Sequence, residues 1–291
     1  MMRSRPNDHD APFKDVDGVI GAPARKFRLI GPGQYGLGIV AILGLVGSAF
    51  GIDPRALIGG RAFLQSAHAG YSIGPLPPNE RIRQLATSVL AETSEVWADV
   101  LPKQKAIPYT PPQLMLYDGA TRSACGLTFT AIGPFYCPLD QKIYLDASFF
   151  ATMKARLGSG GDFAYTYLLA HEVGHHVQNE LGILRKAQAV RRSAFGSKGN
   201  PISIRVELMA DCYAGIWAGH ALAKYHLIKP SDVEKLSATA WAIGDDRLQR
   251  AAQGLVVATT FTHGTSAQRV YWFDVGRKSG KLDACNTFAQ Q

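Results

Sequence analysis

The sequence predicts an α+β fold with a small β-sheet and several helices, preceded by one transmembrane helix. Three observations lead there. Residues 107–150 hold short β-rich segments punctuated by Gly and Pro, residues from 162 onward repeat apolar positions at helical spacing, and residues 35–52 are apolar without a charge. No internal repeat is visible. The chain has 291 residues, 46% hydrophobic and 19% charged, enough apolar surface to close a core, which excludes a wholly disordered protein. Most apolar residues are interleaved with polar ones, which excludes a polytopic membrane protein. Thirty-one basic against twenty-three acidic residues give a net charge of +8, which favours anionic neighbours. The basic residues are scattered and match no binding motif, so no nucleic-acid partner is expected.

Taken in order, residues 1–34 are rich in Pro, Gly, Asp and Arg without apolar periodicity and read as a disordered tail. Tyr35 to Ile52 follows, eighteen residues without a charge. As a helix it would rise about 27 Å, close to the hydrocarbon thickness of a bilayer. The plainer alternative is a buried core helix, which rarely runs so long uncharged. Arg25, Lys26 and Arg28 precede the run and Arg55 and Arg61 follow it, favouring an anchor with its N-terminus in the cytoplasm and the folded domain outside. Ala67-His68-Ala69 has the form of a signal-peptidase site but lies too far past the apolar run, so the anchor is read as uncleaved. Residues 53–78, ending in a proline-rich stretch, form a linker to a domain over 79–291.

That domain opens on a helix. Ile82, Leu85, Val89, Val96 and Val100 fall near helical spacing, Asn79 caps it and Pro102 stops it. Gln113–Tyr117 and Lys142–Asp146 read as strands, and residues 127–132 as a third before a Gly133-Pro134 turn. Helices are expected over roughly 162–181, 203–225, 231–253 and 266–278, with Ser231 and Glu234 forming a capping box for the third. Cys125 and Cys137 flank the expected turn and are candidate disulfide partners, which leaves Cys212 and Cys285 to tie the C-terminal tail to a helix. Four cysteines allow three connectivities, and four buried thiols are the alternative. An oxidising compartment agrees with the outward-facing domain.

The chemistry lies in Ala170-His171-Glu172-Val173-Gly174-His175-His176. On a helix His171 and His175 are one turn apart on one face, so both imidazoles can reach one zinc ion. Glu172 lies about 100° round the axis, beside the ligands, where it can take a proton from an attacking water. Asp162 can cap this helix, Gly182 can end it, and Gly174 implies a close packing contact. His176 points off the zinc face. A catalytic zinc wants a third protein ligand and an open position. Glu207 and Asp211 are i and i+4 on a later helix, where Ala210, Ala214 and Gly215 would let it approach the first closely. Glu207 is assigned as third ligand, and Asp211 as the acceptor for the outward N–H of a zinc-bound histidine. An ordinary exposed acidic pair is the plain alternative. Cys212 as a thiolate ligand points about 100° away from Asp211.

This helix pair resembles the Glu-zincin class of metallopeptidases. The run from Gly133 onward resembles the bacterial neutral zinc metallopeptidases, through GPFYCPLDQKIYLD, AHEVGHHVQN, RVELMADCYAGIWA, IGDDRLQ and FTHGTSAQRVYWF. The resemblance implies a zincin-like fold, one zinc per chain, Glu172 as general base, a peptide or protein substrate, and a place at the bacterial cytoplasmic membrane. An oxyanion-stabilising group is also needed. His263, in an expected loop before the last helix, is the candidate, with a structural role equally open; Tyr213 is a weaker one, and Ser266 reads as a helix cap. Asp245, Asp246 and Arg247 either pair structurally or orient His263. Arg185, Lys186, Arg191, Arg192 and Lys198 make the segment between the zinc helices basic, which reads as solvated surface or as a basic rim favouring acidic substrates or anionic lipid. The expected function is a membrane-anchored zinc peptidase. The alternative is a zinc-containing binding or scaffold protein without turnover.

Overall fold

Helix α1, Glu80–Lys105, buries Ile82, Ala86, Val89, Val96, Trp97 and Val100 on one face, which is why these residues fold as one long helix. The structure, a computed structural model, describes residues 80–129, 133–149, 162–193 and 200–289. The expected tail, anchor, linker, Asn79 cap and residues 130–132 lie outside these. Among the described residues no helix is long and apolar enough to cross a membrane. Pro102 does not stop α1, contrary to expectation. The ring is exposed, and contacts beyond it hold the last turn: the Gln104 side chain donates to Gly280 O at 2.7 Å and accepts from Leu282 N at 2.8 Å. The helix ends instead at Ala106, whose φ is +55°.

Among the described residues five strands follow: β1 Gln113–Tyr117, β2 Ala120–Ser123, β3 Gly126–Phe129, β4 Phe135–Cys137 and β5 Lys142–Asp146. β1 and β5 are the two strands with the clearest sequence signal, and they pair in parallel with Gln113 opposite Lys142. β4 adds antiparallel to β5, giving the order β1-β5-β4. Residues 127–129 of the expected third strand lie in β3, which pairs antiparallel with β2 in a separate hairpin. Cys125 sits in the turn of this hairpin, and its disulfide to Cys137 ties the hairpin to β4 across the segment that holds Gly133-Pro134.

The helical layer comprises α2 Asp162–Glu180, α3 Ile183–Ser193, α4 Asn200–Ala223, α5 Pro230–Ala242, α6 Asp245–Gln253 and α7 Ser266–Ser279. α4 is the central member, with Ala210, Ile216, Trp217 and Ala218 fully buried. Small residues set its spacing to both neighbours. A Cβ on Gly174 of α2 would lie 2.8 Å from Ala210 O, the close contact that glycine implied. Gly215 does not face α2, as the sequence suggested; a Cβ there would lie 2.0 Å from Phe273 O of α7. The second disulfide, Cys212–Cys285, fastens the C-terminal 3-10 turn Leu282–Cys285 to α4.

The helix expected over 231–253 is two helices. It breaks at Ile243-Gly244, where the chain meets the start of α7 so closely that a Cβ on Gly244 would sit 2.2 Å from Ser266 N. The Ser231–Glu234 capping box is absent. α5 starts one residue earlier at Pro230, a residue suited to a first turn, and Asp232 accepts from Lys229 N at 2.9 Å. The cap of α7 is Thr265, in a reciprocal box with Gln268, and not Ser266, which bonds Asp246 instead.

Candidate metal centre

Helix periodicity puts His171 and His175 on one face of α2, and the tight Gly174–Ala210 crossing brings α4 up against that face. The imidazole centroids are 4.8 Å apart and nearly perpendicular. His171 Nε2 lies 3.1 Å and His175 Nε2 3.4 Å from Glu207 Oε2. One donor atom from each of these three residues falls within 4.8 Å of the others, so the group could hold one metal ion.

The second nitrogen of each ring is already engaged. His171 Nδ1 lies 2.8 Å from Asp211 Oδ1, and His175 Nδ1 lies 2.9 Å from Gln178 Oε1. Gln178 is itself fixed by its Nε2 donating to Val206 O at 2.7 Å. Each Nδ1 therefore carries the proton that its acceptor needs, so Nε2 is the nitrogen that faces Glu207 and, once its own proton is displaced, is free to bind a cation. Two neutral imidazoles and a carboxylate converging on one point suit zinc.

Asp211 is fully buried and serves more than His171. Arg269 of α7 donates Nε to its Oδ2 and Nη2 to its Oδ1, both at 2.9 Å, and the Tyr167 hydroxyl donates to Oδ1 as well. Arg269 Nη1 donates to Ile243 O at 3.3 Å, at the α5–α6 break. Burial pushes the Asp211 carboxyl up, but the Arg269 and His171 charges outweigh this and hold it below the ordinary range. Burial alone would push His171 down; the Asp211 carboxylate reverses that and raises it to about 9. Burial likewise opposes ionisation of Glu207, while His175 and His263 hold its carboxyl well below the usual value. The cluster without a cation thus holds protons on nitrogen, which an incoming cation would displace.

Glu172 lies next to this group, only 6% exposed. Burial raises its pKa, partly offset by His175, His171 and a main-chain hydrogen bond from Tyr136 on β4. The sheet thereby reaches the site. His263 reaches it from the loop between the 3-10 turn Ala258–Thr260 and α7. Asp245 accepts the main-chain N–H groups of Thr262, His263 and Gly264 at 2.7, 2.7 and 3.1 Å. Its other oxygen lies 3.2 Å from His263 Nδ1. Of the three residues left open in sequence, Asp245 orients His263, Asp246 bonds Ser266 N and Oγ, and Arg247 lies over the Trp241 ring.

Other candidates fall elsewhere. Tyr213 is buried against Trp97 with centroids 5.7 Å apart, away from the cluster, because it faces α1 from the far side of α4. Cys212 is bonded to Cys285 and is no ligand. His176 is a structural clamp between Tyr136 Oη at 3.0 Å and Thr110 O at 2.6 Å. Sequence reasoning missed Arg269, Tyr167 and Gln178. Only a helical pairing offset could have flagged Gln178, three residues after His175; nothing local marks the other two.

These features define a helix-rich α+β protein with a His-His-Glu cluster able to hold a metal ion beside a buried carboxyl. The chain belongs to the family described as "Putative neutral zinc metallopeptidase", whose family model matches residues 5–288. It is 43% identical over 272 residues to "Uncharacterized protein YpfJ" of Escherichia coli K12, covering 93% of this chain and 91% of that one. It is 41% identical over 204 residues to "Uncharacterized protein Mb2605" of Mycobacterium bovis, covering 67% of this chain and 66% of the relative. A protein of Mycobacterium tuberculosis H37Rv, "Uncharacterized protein Rv2575", matches to the same extent. No solved structure matches.

Proposed function

We propose that this protein is a zinc-dependent peptidase on a zincin-like fold, with one zinc held by His171, His175 and Glu207. The observation that carries this reading is the convergence of both histidine Nε2 atoms on Glu207 Oε2 with Glu172 buried alongside. Zinc, when bound, supplies Lewis acidity that makes water a stronger acid and a scissile carbonyl a better electrophile. Glu172 takes the proton of the attacking water and passes it to the leaving amine; its raised pKa brings it closer to neutrality, where one group can do both. The Tyr136 main-chain hydrogen bond orients that carboxyl. Asp211 and Gln178 hold the imidazoles in the Nδ1–H form. His263, steadied by Asp245, stabilises the oxyanion of the tetrahedral intermediate. The substrate is a peptide or protein. The domain faces the non-cytoplasmic side of the bacterial cytoplasmic membrane, anchored through residues 35–52, and its two disulfides suit an oxidising compartment.

The test is Glu172→Gln in the full-length protein, assayed on a mixture of unfolded proteins such as casein. Zinc content should be unchanged and hydrolysis reduced by at least about a hundredfold, the scale of a lost general base. Undiminished hydrolysis by the variant would remove Glu172 from the mechanism.

A further inference from the structure

Helix α3 turns one face toward the metal-binding group. Leu184, Ala187, Gln188 and Arg191 are spaced at three and four residues and line a pocket together with Val206, Glu207 and His263. Its volume is about 100 Å³, where about 10–15 Å³ suffices for one water, so it takes a substituent of several heavy atoms. Leu184, Ala187 and Val206 give it an apolar wall suited to a short methylene stem. Arg191 supplies its permanent positive charge.

Arg191 differs from its basic neighbours. Arg185, Lys186 and Arg192 are exposed, whereas Arg191 is partly buried. Among the described residues no carboxylate or carbonyl pairs with it. Burial disfavours its charged form, opposed by the charge of Glu207 across the pocket. With Glu207 committed to a metal ion, that compensation is reduced, and a half-buried guanidinium is left facing an open pocket. Such a group is costly unless something anionic occupies the space beside it. Its planar fork matches a carboxylate through two parallel hydrogen bonds.

We propose that Arg191 is a specificity-determining residue that binds a carboxylate of the peptide substrate in this pocket, next to the scissile bond. The proposal rests on the peptidase reading above. The carboxylate comes from an acidic side chain or from the C-terminus of the substrate, and the same chemistry serves both. The basic segment between the two zinc helices then has one substrate-facing member, while Arg185, Lys186 and Arg192 are exposed.

The test uses small peptidyl hydroxamates, whose hydroxamate group binds zinc, with direct calorimetric titration of the zinc-loaded full-length protein. One set varies the side chain beside the hydroxamate among carboxylate, carboxamide and isobutyl, with an amidated C-terminus. A second set keeps the isobutyl side chain and compares free and amidated C-termini. In one of the two sets the carboxylate compound should bind at least about tenfold more tightly than its uncharged counterpart, a difference of ~1.4 kcal/mol. The set in which this occurs identifies the source. Arg191→Gln should abolish that preference and leave the isobutyl amide's affinity unchanged. Arg192→Gln, one position away and exposed, should preserve it, which separates a direct contact from a general field. Equal binding of charged and uncharged compounds in both sets overturns the proposal while leaving the metal centre standing. So does a preference that survives Arg191→Gln in a folded, zinc-loaded variant. Failure of every hydroxamate to bind the zinc-loaded protein instead overturns the peptidase reading on which the proposal rests.

Discussion

Asp211 joins three of the helices through a single carboxylate: α4, which carries it, α2 through His171 and Tyr167, and α7 through Arg269. Replacing it by Asn keeps the shape but leaves the fully buried Arg269 guanidinium without its counter-charge. Breaking a buried pair in this way costs about 3–5 kcal/mol. It also removes the acceptor that fixes the His171 ring, and losing such a partner weakens metal binding by about 10–100-fold. Asp211→Asn should therefore lose both stability in urea unfolding and zinc affinity in chelator competition. A variant with wild-type values in both would show that Asp211 holds neither Arg269 nor the metal-facing imidazole. His171 with His175, and Glu207 with Asp211, were legible as two pairs because i and i+4 positions share a helix face whatever the tertiary fold. Arg269 and Tyr167 were not. Their role depends on how α7 and α2 cross α4, and no local spacing encodes a partner on another helix.

At the level of elements, the helix crossings decide where Glu207 sits. α4 packs backbone to backbone on α7: a Cβ on Gly276 would fall 1.8 Å from Cys212 O. Neither chain can yield without moving a helix. Gly276→Ala should cost at least about 1–3 kcal/mol, the usual range for overpacking, and should weaken zinc binding because α4 carries Glu207. Thermal unfolding and metal competition on the same sample check both; an unperturbed variant would mean that the crossing can open freely. Helix positions were largely readable from the sequence, although α4 is buried nearly all round over 208–218 and presents no single stripe. Their ends were less so. Pro102 was read as a stop, but Gln104 anchors the turn beyond it to the C-terminal segment. The continuous periodicity over 231–253 concealed the break at Gly244, which is set by the approach of Ser266 from a distant part of the chain. That break has a consequence for the site, since it places Asp245 under the 262–264 loop and so positions His263.

Over the whole molecule, two disulfides bind segments that the core alone would hold loosely. Cys212–Cys285 spans 73 residues and Cys125–Cys137 spans 12, which in the chain-entropy model correspond to about 4 and about 3 kcal/mol. Replacing Cys212 and Cys285 together by Ala should lower stability more than the same change at Cys125 and Cys137, measured by urea unfolding under oxidising conditions. The reverse order would mean that local strain or residual structure, not loop closure, sets these terms. Both pairings were suggested by the sequence, and both are present. Zinc stoichiometry is the measurement that bears on the metal centre itself. Full-length protein and its Glu207→Ala variant, dialysed against limiting zinc, would be analysed for metal per chain. One zinc per wild-type chain is expected, with an affinity at least about tenfold weaker in the variant. A folded wild-type protein that takes up no zinc, or a variant that binds it equally well, would contradict the assignment of His171, His175 and Glu207.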